Sequence, residues 1–255
     1  MNFKVFIDAG HGGYDTGASY NGRKEKDDNL NLALGVTDSL RRRGIETEVT
    51  RTTDIYQSPN EKAMLANESD ADIIISFHRS SSPVPNTYEG VESYIYETGG
   101  ISEHLANQIN SNLEKLGFKN LGVDVRKNLA ILKKTDMPAI LVDVGFINTD
   151  TDNQRFDEKF NQVVEAIADA IESTIQSEGE HLPSVYYTVQ VGLFRNYQNA
   201  VNLQAELIEH GFEAEIIPMG GLYAVVVGKF KQLKDAEPMK DKLENLGYET
   251  FILER

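Results

Sequence analysis

Phe3 to Gly17, FKVFIDAGHGGYDTG, decides how the rest of the chain is read. Lys4, Val5, Phe6 and Ile7 form a short β-branched and aromatic run that predicts a buried strand. The run breaks off in Asp8-Ala9-Gly10-His11-Gly12-Gly13. Glycines on both sides of His11 remove bulk and free the backbone, so the imidazole can stand in a cleft. In open α/β sheets ligands gather at the carboxyl ends of strands. A histidine there serves as metal ligand or general base, but turn histidines are also common, and this stretch alone leaves both readings open.

Working outward, a helical pattern follows Glu25 and Lys26, with Leu30, Ala33, Leu34, Thr37 and Leu40 on one face. Arg41, Arg42 and Arg43 suit the negative end of its dipole, and Gly44 terminates it. Ile45 to Thr50 alternates as a strand. Ser58-Pro59-Asn60-Glu61 is a capping box with proline at the first helical position, opening a helix through Asn67. Ala71 to Phe77, ADIIISF, predicts a second buried strand, and it also ends in a histidine, His78. Gly90 to Tyr96 is a third strand and Ser102 to Leu116 a helix. Met137 to Phe146, MPAILVDVGF, is another apolar strand, ending at Asp143. Val163, Val164, Ile167, Ile171 and Ile175 mark a closing helix. Strands alternating with helices predict an α/β fold, a largely parallel or mixed sheet flanked by helices.

The polar stretch 177–184, with Gly179 and Pro183, reads as a linker between a domain at 1–176 and a second at 185–255. The second contains an internal repeat. Val189, Val191, Gly192, Phe194, Ala200, Leu207, Gly211 and Phe212 recur 36 residues later as Val225, Val227, Gly228, Phe230, Ala236, Leu243, Gly247 and Tyr248. Each unit reads strand, helix, strand, so two of them predict a small α+β ferredoxin-like βαββαβ sandwich.

Composition narrows the function. The net charge of −15 argues against a nucleic-acid partner, which needs basic patches to neutralise phosphates. No apolar run nears the roughly eighteen residues of a membrane span. The chain has no cysteine, so any zinc site must use histidine and carboxylate. The start, MNFKVFIDAG, enters a strand directly and carries no signal-peptide pattern. The expectation is a protein that works inside a cell or leaves it by lysis or another route.

Of the five histidines, His104 falls on a helix, His181 in the linker, and His210 just before a helix-ending glycine. Ordinary structural roles suffice for these. His11 and His78 both terminate apolar strands expected to lie side by side, Asp143 lies on a third, and Glu25 begins the first helix. Two histidines and two carboxylates thus converge on one edge. Three protein ligands, an open position and a remaining carboxylate as base make a plausible zinc site. The alternative for Asp143 is a cap or a hydrogen bond within its loop.

DAGHGGYDTGA, Glu25-Lys26, SFH at Ser76 to His78, and MPAILVDVGFIN at Met137 to Asn148 together resemble the zinc-dependent N-acetylmuramoyl-L-alanine amidases of the amidase-3 type. The resemblance spans about residues 2–176, with the four blocks in order. It implies that His11, Glu25 and His78 bind one zinc ion, which polarises the amide carbonyl between muramic acid and L-alanine and activates water. It also implies that the residue at Asp143, normally glutamate, is general base and then acid. Aspartate loses roughly 1.5 Å of reach. Arg79-Ser80-Ser81 replaces a small Ala-Asn usually found after the histidine. Both departures are expected to border the cleft.

The C-terminal repeat, from YYTVQVGLF to LYAVVVGKF, resembles the SPOR domain, which binds peptidoglycan strands stripped of stem peptides. Alternation places Tyr187, Val189 and Val191 toward the helices. Tyr186, Thr188 and Gln190 then lie on the open face as candidate glycan contacts, although Leu193 replaces a usual serine. The combined expectation is a peptidoglycan hydrolase acting on the cell wall, similar to spore mother-cell lytic amidases, with phage endolysins also possible. The rival expectation is a wall-binding protein whose amidase fold retains zinc but turns over weakly.

Overall fold

The computed structural model describes residues 3–181, 186–230 and 232–254, and the chain divides into two compact units, Met1–Glu180 and His181–Arg255. The first unit begins with β1 (Lys4–Ala9), the hairpin β2 (Ser19–Tyr20) and β3 (Arg23–Lys24), and α1 (Glu25–Arg42). It continues through β4 (Glu46–Val49), α2 (Pro59–Glu68), β5 (Ile73–Ser80), β6 (Val91–Ile95) and α3 (Gly100–Lys115). β7 (Asn120–Val125), α4 (Ala130–Lys133), β8 (Ala139–Phe146), α5 (Asp150–Glu158) and α6 (Phe160–His181) complete it. Six strands form one sheet in the order β4-β1-β5-β8-β6-β7. β4, β1, β5 and β8 run parallel, whereas β6 pairs antiparallel with β8 and parallel with β7. The sheet is mixed.

Side-chain alternation gives the sheet two different faces. Val5, Ile7, Ile73, Ile75, Phe77, Val142 and Val144 point to one, where Leu32, Val36 and Leu40 of α1, Ile109 and Leu113 of α3, and Ile167 and Ile171 of α6 bury them. Each fully buried Leu, Ile or Val stabilises the fold by about 1.5–3 kcal/mol. The buried stripe of α1 includes Leu32 and Val36 and leaves Leu34 only half buried, a rotation from the predicted face. The cause is that α1 packs on α6 as well as on the sheet: a Cβ at Gly35 would lie 2.8 Å from Val164.

The opposite face begins with Phe6, Ile74, Ala139 and Leu141, covered by Ala63 and Ala66 of α2 and by Ile131 and Leu132 of α4. Further along the same strands, alternation puts Asp8, Ser76, His78 and Asp143 on this face. The Ser58–Glu61 capping box forms at the start of α2, with Ser58 N donating to Glu61 Oε2 at 2.7 Å. β7 and the short α4 were not apparent in the sequence. β7 is a half-exposed edge strand with little apolar alternation.

The stretch 177–184 is helical in its first part, because α6 runs on to His181, and 182–184 lie outside the described residues. The second unit comprises β9 (Tyr187–Phe194), α7 (Tyr197–Glu209), β10 (Ala214–Met219), β11 (Leu222–Phe230), α8 (Leu233–Asn245) and β12 (Phe251–Glu254). Its antiparallel sheet has the order β10-β11-β9-β12, the βαββαβ arrangement. The repeated pairs Ala200/Ala236 and Leu207/Leu243 are fully buried against Val189, Val191, Val225 and Val227. The repeat is therefore the core. Thr188 is also fully buried, and its hydroxyl donates to the carbonyl of Gly228 at 2.7 Å.

Asp8 is a buried carboxylate with a complete set of partners. Lys62 Nζ lies 3.0 Å from Oδ1, Thr50 Oγ1 donates to Oδ1 at 2.8 Å, and Ser76 Oγ donates to Oδ2 at 2.5 Å. Burial opposes its charge, yet Lys62 and the Ser76 hydroxyl hold its pKa below the usual carboxylate value. The stabilisation is therefore complete above the unfolded pKa of about 3.9 and is lost as pH falls through the folded value. Asp8→Asn is expected to cost about 3–5 kcal/mol near neutrality by leaving Lys62 unpaired. In urea titrations across pH, the gap between variant and parent should narrow below about pH 4.

Candidate active site

The loop after β1 carries His11 back against β5. Gly10 N donates to Phe77 O at 3.0 Å, and a Cβ on Gly10 would lie 2.4 Å from the His78 ring. At Gly17, with φ of +60°, a Cβ would meet Glu25 Oε2 at 2.5 Å and His11 Cδ2 at 2.6 Å. Only glycine fits either place. His11 itself adopts φ of 58°, a left-handed conformation sparsely populated outside glycine. Glu25, the first residue of α1, comes from the opposite side, where the helix dipole favours an anion.

Together these elements bring one ligand atom each of His11, Glu25 and His78 within 4.8 Å of one another. Glu25 Oε1 lies 3.2 Å from His11 Nε2 and 2.9 Å from His78 Nδ1. The same oxygen accepts the Arg79 N–H at 3.1 Å, and Oε2 accepts Ala18 N–H at 2.9 Å. Burial works against ionisation of Glu25, but the two imidazoles hold its carboxyl well below the usual range. Burial likewise opposes charge on His11, and the Glu25 and Asp15 carboxylates outweigh it, raising its pKa to about 9.

Asp15 is the residue that the sequence reading missed. Its Oδ2 lies 2.8 Å from His11 Nδ1, and its Oδ1 accepts Gly17 N–H at 3.0 Å. It thereby fixes the tautomer that leaves Nε2 facing the cluster, the carboxylate–histidine pairing that orients metal-bound imidazoles. The spacing of four residues from His11 was a legible signal. Two imidazole nitrogens and one carboxylate oxygen, with the histidines partly open to solvent, fit a divalent metal with room for a further ligand.

Asp143 stands directly opposite His78 in the β5–β8 register, within β8 and three residues short of its end. Burial raises its pKa to about 7, with the Glu25 and Glu92 carboxylates adding to the effect and His78 and Arg79 opposing it. A carboxyl poised there is suited to exchanging protons near neutrality. Glu92, also missed from sequence, faces Asp143 across the β6–β8 pair and accepts the Tyr94 hydroxyl at 2.6 Å. The cleft beside the cluster is lined by Asp8, Gln57, Lys62, Asn128 and Leu129 among others.

Arg79 does not border the cleft as expected. Strand alternation turns it to the other face from His78. There its buried guanidinium donates to Asp28 Oδ2 at 2.6 Å and Asn153 Oδ1 at 2.8 Å, and lies 4.4 Å from the Phe156 ring centroid. Of the remaining histidines, His104 is exposed on α3, and His210 Nδ1 lies 2.9 Å from the Tyr248 hydroxyl. Neither joins the cluster.

Residues 5–173 match the amidase-3 family, described as N-acetylmuramoyl-L-alanine amidase. The chain belongs to that family. Residues 183–254 match the SPOR domain. Over 254 residues this amidase is 30% identical to the sporulation-specific N-acetylmuramoyl-L-alanine amidase of Bacillus subtilis, covering 98% of this chain and 84% of that one. It is 31% identical over 221 residues to the amidase CwlM of Bacillus licheniformis, covering 84% of each. Among solved structures, an N-acetylmuramoyl-L-alanine amidase from Clostridium difficile 630 superposes with a TM-score of 0.65 at 34% identity, over 70% of this chain and all of that one. AmiC2 of Nostoc punctiforme gives 0.64 at 31%, over 69% of this chain and 98% of that one. The amidase is thus a peptidoglycan hydrolase by family, of a family that is generally zinc-dependent.

If Asp15 orients His11, Asp15→Ala should weaken zinc binding by about 10–100-fold. Competition with a chromogenic chelator measures this. An unchanged affinity would reduce Asp15 to a loop-stabilising residue.

Proposed function

We propose that the chain hydrolyses the amide between N-acetylmuramic acid and L-alanine, with His11, Glu25 and His78 holding one zinc ion and Asp143 moving the proton. The observation that carries this reading is the convergence of those three ligand atoms in the strand register that also presents Asp143. A zinc ion bound there would supply Lewis acidity at the amide carbonyl and lower the pKa of water. Asp143, kept partly protonatable by its burial, accepts a proton from the attacking water and returns it to the departing alanyl amine. His11 and Glu25 are held by Asp15 and by the Ala18 and Arg79 N–H groups, so their side chains are already aimed at the place where the metal would replace the protons they now share.

The division into a catalytic part through residue 176, a junction at 177–184 and a glycan-binding part from 185 belongs to the same proposal. Binding to glycan freed of its peptides would concentrate the enzyme where it has already cut. On the SPOR sheet, Gln190 is only half buried, which leaves part of its side chain for such a contact, although its Oε1 is enclosed without a hydrogen-bond partner among the described residues. Tyr186 is half buried beside Lys229, whose Nζ lies 5.5 Å from the ring. The burial of Thr188 and the engagement of its hydroxyl with Gly228 leave it a supporting role beneath the contact surface. The cell wall is the proposed site of action. No described helix is long and apolar enough to cross a membrane.

The deciding experiment follows release of new L-alanine amino termini from purified peptidoglycan, with a chelator and after zinc is restored. Release should stop with chelation and return with zinc. Asp143→Ala should lower it by about 10²–10⁴-fold at unchanged zinc content. Asp143→Glu should match or exceed the parent rate, and a large fall would mean that the pocket is built for the shorter acid. No release from the parent with stoichiometric zinc would make the chain a wall-binding protein in an enzyme's fold. In the second unit, Gln190→Ala should reduce pelleting with peptide-free glycan strands, and undiminished pelleting would remove Gln190 from the contact surface.

A further inference from the structure

Tyr14 and Tyr56 take no part in the chemistry above, yet they stand together on the loops that frame it. Their rings stack with centroids 4.1 Å apart and an interplanar angle of 27°. Tyr14 is 78% exposed, Tyr56 38%, and the adjoining Ile55 47%. Tyr14 lies between the cluster residue His11 and Asp15, and Tyr56 follows β4 on the neighbouring loop.

These exposed rings sit on firmly anchored backbone. Gly12 and Asp15 exchange backbone hydrogen bonds of 2.9 and 3.1 Å. Gly13 N donates to Asp54 Oδ1 at 2.8 Å, and Lys26 Nζ bridges Gly13 O at 2.8 Å and Asp54 Oδ2 at 2.5 Å. The approach is close: a Cβ on Gly13 would lie 2.7 Å from Tyr56 N. Burial in a core does not explain aromatic rings fixed in this way and facing water. A tyrosine on rigid backbone supplies broad amphipathic contact area at little conformational cost, the composition of a preorganised binding surface.

The surroundings select among the parts of the substrate. The acids on these loops are already partnered: Asp15 is held by His11, Asp54 by Lys26, and Glu61 accepts Ser58 N at the start of α2. With Lys26 and His11 already taken up by these acids, the rim offers them to no carboxylate of a stem peptide. A neutral N-acetylhexosamine ring needs no such partner. Its C–H face can lie on the open side of Tyr14, and its hydroxyls can donate to the acids.

We propose that Tyr14 and Tyr56 form a sugar-stacking subsite that holds the substrate's glycan strand beside the cleft, on the β1–β4 side of the metal cluster. The subsite deepens the amidase reading and rests on it for the identity of the polymer. It also assigns a direction to the bound substrate, with glycan toward β1 and β4 and the stem peptide toward β8 and β6.

Two measurements on the full chain test this. In the first, hydrolysis of polymeric peptidoglycan is compared with that of a soluble single-sugar muramoyl peptide. Tyr14→Ala combined with Tyr56→Ala should lower the polymer-to-monomer ratio of kcat/KM about tenfold, through KM, while the double Tyr→Phe variant keeps the ratio. In the second, binding of a soluble, peptide-free N-acetylglucosamine oligomer is titrated. The SPOR domain contributes equally to all variants, so loss of a binding component in the alanine variant alone supports the subsite. An unchanged ratio and unchanged titration, with zinc content and thermal stability retained, would overturn it. A parent chain that binds the oligomer through the tyrosines but releases no alanine termini would keep the subsite and sink the hydrolase reading instead.

Discussion

The carboxylate of Glu25 is the contact on which the catalytic unit turns. One oxygen meets both imidazoles and the backbone N–H after His78, and the other takes the Ala18 N–H. These partners come from the loop after β1, from β5 and from the hairpin leading into α1, so a single acid ties three separate parts of the chain to one point. The cost of burying it is offset only while these donors stay in place. Asp28, one turn further along α1, repeats the arrangement on the other face through Arg79 and Arg23. The first turn of α1 is thereby fixed from two sides.

The two faces of the mixed sheet divide labour along each strand. Apolar residues fill most of one face under α1, α3 and α6, with Arg79 paired to Asp28 at the end of β5. On the other, α2 and α4 cover the beginnings of the parallel strands, and acids, a serine and a histidine occupy the ends. The reversal of β6 matters here, because it lays Glu92 against Asp143 and surrounds that acid with further negative charge. A fully parallel sheet would not place that residue there in the same way.

Much of this was legible because it is local. His11 and His78 follow apolar runs, Glu25 opens a helix, and the repeat in the second unit predicted both its topology and its core. Features that depend on pairing between distant segments were not legible. Glu92 acquires its place from an antiparallel register that its own sequence does not encode. β7 is an edge strand without a buried periodicity, and the true stripe of α1 depends on the closeness of α6 at Gly35. Arg79 was misplaced for a different reason: its neighbour in the sequence lies in the cleft, but alternation sends the two side chains apart. Thr188 shows the limit of alternation itself, since facing away from the helices did not leave it exposed.

The opposition of His78 and Arg79 on β5 has a consequence for assembly. Shifting that strand by one residue would drive the imidazole into the packed layer and swing a guanidinium toward the cluster, leaving Asp28 with Arg23 alone. Both mistakes are penalised at once, one by a guanidinium drawn from its acid and the other by an imidazole missing from the cluster. Strand register and assembly of the His11, Glu25 and His78 cluster are thus a single variable in this protein. A chain that has gathered these side chains has, by the same fact, proofread the alignment of its central strands.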